Sequence, residues 1–255
     1  MSENRPPAVV AAATPAAPAY FISDLHLAAN RPETTAAFRD FLTGSACNAS
    51  SLWILGDFFE YWAGDDECHT PYADELCSAL KALAARGTPL FFMRGNRDLL
   101  IGSGFAARTG VQLLNDPTLI ELNGQRFLLS HGDILCTDDL PYQAYRRQVN
   151  APDWQAAFLA RPLEERLAFI QQLRLQSEQA KQNKSMTAMD VNTHAVTELL
   201  REYTRPALIH GHTHLPAHHL HIVDGETCNR WVLPEWHTSA GGLYFDGTCL
   251  HRFGT

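Results

Sequence analysis

Six histidines stand in the fourteen residues from Leu208 to His221, "LIHGHTHLPAHHLH". Neutral imidazole is the commonest metal ligand, but a His-rich tract is as compatible with a solvated loop. The rest of the chain decides between them. Asp24 and His26 lie in "FISDLH", Asp57 ends "WILGD", Asn96 lies in "FFMRGNRD", His131 lies in "FLLSHGD", and His212 and His214 lie in "LIHGHTH". Two aspartates, one asparagine and four histidines with no cysteine suit Mn, Fe, Co or Zn better than Ca, and disfavour a structural zinc site. Seven ligands are too many for one ion that leaves room for substrate. They are enough for two ions sharing a bridging carboxylate; two ions about 3.5–4 Å apart hold the attacking and leaving oxygens of a phosphoryl displacement.

Each motif alone is weak: Asp-x-His and Gly-Asp are ordinary turn sequences after a strand. What raises the set above its parts is that every motif follows a short apolar run. Tyr20–Ser23, "SLWILGD" and "PLFFMRGNRD" read as buried strands. Between them, "TTAAFRDFLTGSA" puts Ala37, Phe38, Phe41 and Leu42 on one helical face with a Gly stop, and "YADELCSALKALAARG" is amphipathic up to Gly87. Strand alternating with helix predicts parallel strands covered by helices. The later segments "TLIEL", "QRFLLSHGD", "PALIHGHTH", "HHLHIVD", "RWVLPEW" and "GGLYFD" are short and closely spaced, as in antiparallel pairing. The expected fold is a mixed α/β layered sandwich. In such sheets, ligands collect beyond the carboxyl ends of strands, so residues 190 positions apart can converge. His210 reads as a strand residue, and His218, His219 and His221 as members of the next strand.

One region breaks the rhythm. Residues 140–190 carry no strand signal and are helical in character, followed by "NTHAVTELLREY" with Asn192 as its N-cap. This is expected to be a helical insertion between two strands. Its residues 140–185 hold seven Arg or Lys against four acids, although the whole chain has a net charge of -8. Trp154, Phe158, Leu159, Leu163, Leu167, Phe169, Ile170 and Leu173 add apolar surface. A basic and apolar element fits an anionic lipid or membrane face. It fits equally well a helical hairpin packed on the body of the protein.

The 255 residues suit one large domain, or one domain with an insertion. Net acidity gives no general support for nucleic-acid binding, which draws on surplus Lys and Arg. The six cysteines form no C-x-x-C pair and read as reduced thiols in a cytosolic setting. Residues 1–19, rich in Ala and Pro, read as a flexible extension and not as a signal peptide. No run approaches the length of a membrane-spanning helix.

The order D-x-H, G-D, G-N-R-D, H-G and G-H-x-H resembles that of the calcineurin-like metallophosphoesterase superfamily. The resemblance implies a layered α/β/β/α sandwich of mixed sheets over residues 20–255, with the insertion at about 140–190 as a helical lid. It implies one metal held by Asp24, His26, Asp57 and His214, and a second by Asp57, Asn96, His131 and His212. Many members have His after the Asn, where it protonates the leaving group. Here Arg97 stands there, permanently protonated and suited to gripping phosphate oxygens. Many also have a second Asp after Gly-Asp, where this chain has Glu60 in "GDFFEYWAGDD".

With "GNRDLLIG" and "HGDILCTDDLPYQAYR", the match narrows to the lipid A branch of Gram-negative bacteria. That narrower resemblance implies two Mn2+ ions per chain, with Asn96, Arg97 and His212 as catalytic residues. Substrate contacts would come from Asn96, Arg97, Asp139, Ser177, Lys181, Lys184 and His212. The implied reaction is hydrolysis of the pyrophosphate of UDP-2,3-diacylglucosamine to UMP and lipid X, with metal-activated water attacking the α-phosphorus. The expected setting is the cytoplasmic face of the inner membrane, with a monomer bound peripherally to the membrane surface and no nucleic-acid partner. Two other readings stay open: a metallophosphoesterase acting on nucleotides, nucleic acid or phosphoproteins, and a non-catalytic binding scaffold.

Overall fold

The computed structural model describes residues 9–11, 17–181 and 190–254. Two six-stranded sheets face each other. One has the order β12-β11-β2-β3-β4-β5, built from β2 (Ala19–Ile22), β3 (Ser51–Leu55), β4 (Leu90–Met93), β5 (Gln112–Leu114), β11 (Gly242–Phe245) and β12 (Leu250–Phe253). The other has the order β1-β6-β7-β8-β10-β9, built from β1 (Val9–Ala11), β6 (Thr118–Leu122), β7 (Gln125–Ser130), β8 (Ala207–His210), β9 (His218–Val223) and β10 (Glu226–Val232).

Strands β2 to β5 pair in parallel, as the alternation with helices predicts, whereas β11 meets β2 antiparallel. The other sheet is mixed as well: β6–β7 and β9–β10 are antiparallel, but β7–β8 and β8–β10 are parallel. The β7–β8 crossover is long enough to be parallel because the insertion lies in it.

Strand β3 is buried at every position. Its period of two sends Trp53 and Leu55 toward the second sheet, and Leu52 and Ile54 toward the helices. Phe21, Trp53, Phe91, Phe127, Leu129, Ile209 and Phe245 form the core between the sheets. Helices α1 (Pro32–Thr43), α2 (Pro71–Ala85) and α3 (Ser103–Thr109) cover one outer face, and α7 (Thr193–Glu202) covers the other. The result is the expected four-layer α/β/β/α sandwich. Helix α1 buries Ala37, Phe38, Phe41 and Leu42, and Gly44 N–H closes it onto Asp40 O. Asn192 caps α7 by accepting from Ala195 N–H.

Two expectations change. Val9–Ala11, placed by sequence in a featureless extension, form an edge strand paired in parallel with Leu119–Glu121. The exposed edge of β6 offers unpaired backbone groups that a short β-branched segment can satisfy. The insertion is helical, comprising α4 (Leu140–Val149), α5 (Pro152–Leu159) and α6 (Leu163–Lys181). Much of its apolar surface faces inward, however. Phe158 is a core residue at 2% exposure, and Trp154, Phe169 and Ile170 pack on the same core. Arg166, also buried, pairs with Asp66 and binds Ala63 O, fastening α6 to the body. Leu159 stays 41% exposed. Among the described residues no helix is long and apolar enough to cross a membrane.

Candidate metal centre and active site

All seven sequence-predicted ligands follow strands and meet where both sheets end. Asp24 and His26 follow β2, Asp57 follows β3, Asn96 follows β4, His131 follows β7, and His212 and His214 follow β8. Five of them hold left-handed backbone: Asp24 (φ 55), His26 (φ 49), Asp57 (φ 51), His212 (φ 70) and His214 (φ 56). A non-Gly residue in that region costs on the order of 1–3 kcal/mol and persists only where its surroundings over-determine it. Here backbone hydrogen bonds do so: Asp24 N–H donates to Gly56 O at 3.1 Å, His26 N–H to Asp57 O at 3.0 Å, and Gly211 N–H to His131 O at 2.9 Å. The glycine of "GNRD" is required by closeness alone. A Cβ on Gly95 would sit 2.1 Å from Asp57 Oδ1.

The ligand atoms fall into two groups, Asp24–His26–His214 and Asp57–His131–His212, each within 4.8 Å. Asp57 lies between them, with Oδ2 3.9 Å from His26 Nε2 and Oδ1 3.6 Å from His131 Nε2. Asn96 Oδ1 is 3.0 Å from His131 Nε2 and 2.9 Å from His212 Nδ1. In the first group, His26 Nε2 and His214 Nε2 face each other at 3.3 Å. The far nitrogens are tied back: His131 Nδ1 to Leu55 O at 2.9 Å, and His214 Nδ1 to Glu235 Oε2 at 2.9 Å. Such ties fix the ring and leave the other nitrogen free to ligate. Converging oxygen and nitrogen donors, four of the seven residues buried and the other three half-buried, fit two divalent cations.

The electrostatics agree. Burial opposes charge on His131 and His214, yet carboxylates overcome it. Asp57, Asp24 and Asp133 carry His131 up to about 9, and hydrogen bonds to Asp24 and Glu235 carry His214 up to about 10. Glu235, although burial works against its charge, is held down at about 2 by His214. His212 goes the other way, to about 4, through burial and the nearby His131. The centre is a concentrated negative field that draws in positive charge.

Arg97 joins this group through its backbone N–H, which donates to Asp57 Oδ1 at 2.9 Å, while its guanidinium lies 3.5 Å from Glu60 Oε1. Asp139 starts the insertion and caps α4, accepting from Tyr142 N–H at 3.2 Å. Ser177 and Lys181 lie on the backbone of α6, but their side chains fall outside the described residues, as does Lys184 entirely. Three of the tract's other four histidines meet partners on β10. Buried His210 meets Arg230 at 3.1 Å, His221 meets Arg230 Nε at 3.1 Å, and His218 stacks on Trp231.

Sequence reasoning missed three supporting carboxylates. Asp98, fully buried, accepts from Gly95 N–H at 2.7 Å and Phe58 N–H at 2.8 Å, clamping two ligand loops together. Burial and the neighbouring Asp57 raise it to about 6. Asp133 accepts from Tyr142 Oη–H at 2.8 Å and Arg146 Nε–H at 2.6 Å, tying the insertion to the "HGD" loop. Glu235 is the third. Asp98 and Asp133 were visible inside the motif blocks "GNRD" and "HGD". Glu235 had no signal.

The fold and the two candidate ligand groups are those of a phosphoesterase, and the chain belongs to the calcineurin-like phosphoesterase family, whose model matches residues 17–216. Among its relatives, a UDP-2,3-diacylglucosamine hydrolase of Aromatoleum aromaticum is 57% identical over 90% of this chain and 93% of its own. One from Chromobacterium violaceum is 52% identical, covering 88% of this chain and 92% of its own. One from Xanthomonas oryzae pv. oryzae is 46% identical, covering 91% and 98% respectively.

Proposed function

We propose that the protein hydrolyses the pyrophosphate of UDP-2,3-diacylglucosamine, giving UMP and 2,3-diacylglucosamine 1-phosphate, lipid X. The observation that carries this is the pair of ligand groups joined at Asp57, together with three relatives of that name that align along nearly their whole length. The first cation would be held by Asp24, His26, Asp57 and His214, the second by Asp57, Asn96, His131 and His212, and both would be Mn2+. When bound, such ions neutralise phosphate charge and lower the pKa of water.

The chain's own residues supply the rest. Arg97 stays cationic throughout and would stabilise charge on the phosphate oxygens during transfer. His212 and Asn96, 2.9 Å apart at the second group, would orient the phosphate beside it. Water oxygen bonds to the α-phosphorus, the bond from that phosphorus to the bridging oxygen breaks, and the bridging oxygen leaves with the lipid phosphate. That phosphate is a good leaving group, which is consistent with Arg97 where other members have a proton-donating His. Asp139, Ser177, Lys181 and Lys184 would contact the substrate from the insertion, which would act as a lid. The protein would work as a peripheral monomer at the cytoplasmic face of the inner membrane.

Hydrolysis in 18O-labelled water tests the reaction directly. The label is expected in UMP. Label in lipid X would overturn attack at the α-phosphorus, and no cleavage of the diacylated substrate would overturn the activity itself.

A further inference from the structure

A cavity of about 160 Å3 opens beside the second ligand group, between α4 and the loops that follow β4 and β5. Asn96 and Asp133 form part of its wall, so it adjoins the metal centre directly. Asp116 forms another part. Its Oδ2 accepts from the backbone N–H of His131 at 3.2 Å and the Ser130 hydroxyl also approaches the carboxyl, but Oδ1 is buried with no partner in hydrogen-bonding geometry. A buried polar oxygen left unpaired is costly and uncommon. A ligand donor would satisfy it.

We propose that this cavity receives the nucleoside of the substrate and that Asp116 Oδ1 accepts a hydrogen bond from it, which makes Asp116 a specificity-determining residue. This rests on the reading of the protein as an enzyme that releases a uridine nucleotide. A nucleoside carries the matching donors, an imide N–H on uracil and hydroxyls on ribose. Tyr145, 38% exposed on α4, presents an aromatic ring at the cavity, and rings of this kind stack on bases whatever their sequence. Arg94 and Arg146 also line it, and their positive charge suits an adjoining phosphate. An acyl chain offers no donor and would leave Asp116 Oδ1 as unpaired as before, so the cavity favours the polar end of the substrate. The two ends of the substrate are thereby distinguished, with the nucleoside under α4 and the lipid elsewhere.

The test is inhibition by UMP, 2′-deoxy-UMP, 3-methyl-UMP and lipid X, measured on Mn2+-loaded wild type, Asp116→Asn and Tyr145→Ala. Asparagine retains an acceptor for His131 N–H but can present a donor to the cavity. UMP inhibition is expected to weaken by about tenfold or more in Asp116→Asn, the scale of a lost hydrogen bond to a charged group. Lipid X inhibition should change far less. Tyr145→Ala, outside the ligand set, should also weaken UMP selectively and covers the case in which Asp116→Asn loses metal. Poor inhibition of wild type by 3-methyl-UMP would assign the contact to the base, and by 2′-deoxy-UMP to the ribose. Equal UMP inhibition in wild type and both variants, with UMP still the product, would overturn the cavity assignment alone. A wild type that cleaves simple phosphodiesters but neither cleaves the UDP-sugar lipid nor binds UMP would overturn this inference and the parent reading together.

Discussion

Glu235 Oε2 stands 2.9 Å from His214 Nδ1, on the far side of the ring from the metal-facing nitrogen. The glutamate therefore fixes which nitrogen of His214 points at Asp24 and raises its basicity as a ligand. Removing such a partner typically costs about 10–100-fold in metal affinity. Glu235→Gln is expected to weaken one of two cation-binding events by that factor and leave the other unchanged, read by calorimetric titration of the metal-free protein. Two equally weakened events would mean that the groups are not independent, and no weakening would mean that Glu235 does not orient His214.

Asp57→Ala should behave differently, because Asp57 faces both groups, at 3.9 Å from His26 and 3.6 Å from His131. Both ions and all turnover are expected to be lost. Metal analysis after gel filtration that still finds two ions per chain would remove Asp57 from the bridging position.

The raised histidines give a pH dependence of definite sign. His131 and His214 move from 6.5 up to about 9 and about 10 in the folded protein. A raised pKa means that the folded state holds protons the unfolded state has released. The stability they contribute is complete below about pH 6.5 and is lost as pH rises toward 9–10. Cations need those imidazoles neutral, so metal binding releases protons and strengthens over the same window. The Tm of chelator-treated protein should fall from pH 6.5 to 9.5, while the rise in Tm on adding Mn2+ should grow. A metal-free Tm that rises over this range would contradict the charge assignment.

The parts of this centre that were legible in sequence are those in which chemistry and chain order coincide. Asp24, Asp57, Asn96, His131 and His212 each stand just beyond a strand, and period-two apolar runs announce strands. Glu235 follows β10 in "VLPEW", and nothing in that stretch reveals that it will meet a histidine from another strand. Asp98 and Asp133 lay inside motifs, but what they clamp depends on loops brought together only by the fold. Val9–Ala11 is too short for periodicity to register. Phe158 stayed open for a different reason: a helical apolar stripe looks the same whether it covers lipid or packs on the body, and only the fold shows Phe158 packed in the core, with Arg166 paired to Asp66 nearby.

Arg97→Ala is expected to lower kcat by about 10²–10³, the usual cost of losing one group that stabilises transition-state charge, with both cations retained. Its backbone N–H to Asp57 survives the substitution, so the metal centre should keep its geometry. Arg97→His should not restore the rate, because the site was built around a fixed charge and not a proton donor. A kcat within twofold of wild type in Arg97→Ala would reduce the side chain to a partner of Glu60.

The buried and exposed faces of the insertion should fail in different ways. Phe158 is at 2% exposure within the core, so Phe158→Ala is expected to cost about 3–5 kcal/mol of stability and lower activity on every substrate alike. Leu159, the next residue, is 41% exposed beside Gly64. Leu159→Asp should leave Tm nearly unchanged and, if the insertion covers acyl chains, selectively depress kcat/KM for long-chain substrate. Each buried methylene is worth about 0.8 kcal/mol, so the loss should steepen with chain length and vanish for a deacylated analogue. The measurement is kcat/KM across a chain-length series for both variants, beside their melting temperatures. A Leu159→Asp enzyme with unaltered chain-length preference would place the acyl chains away from α5, and the insertion would then be a hairpin that packs on the body rather than a lid.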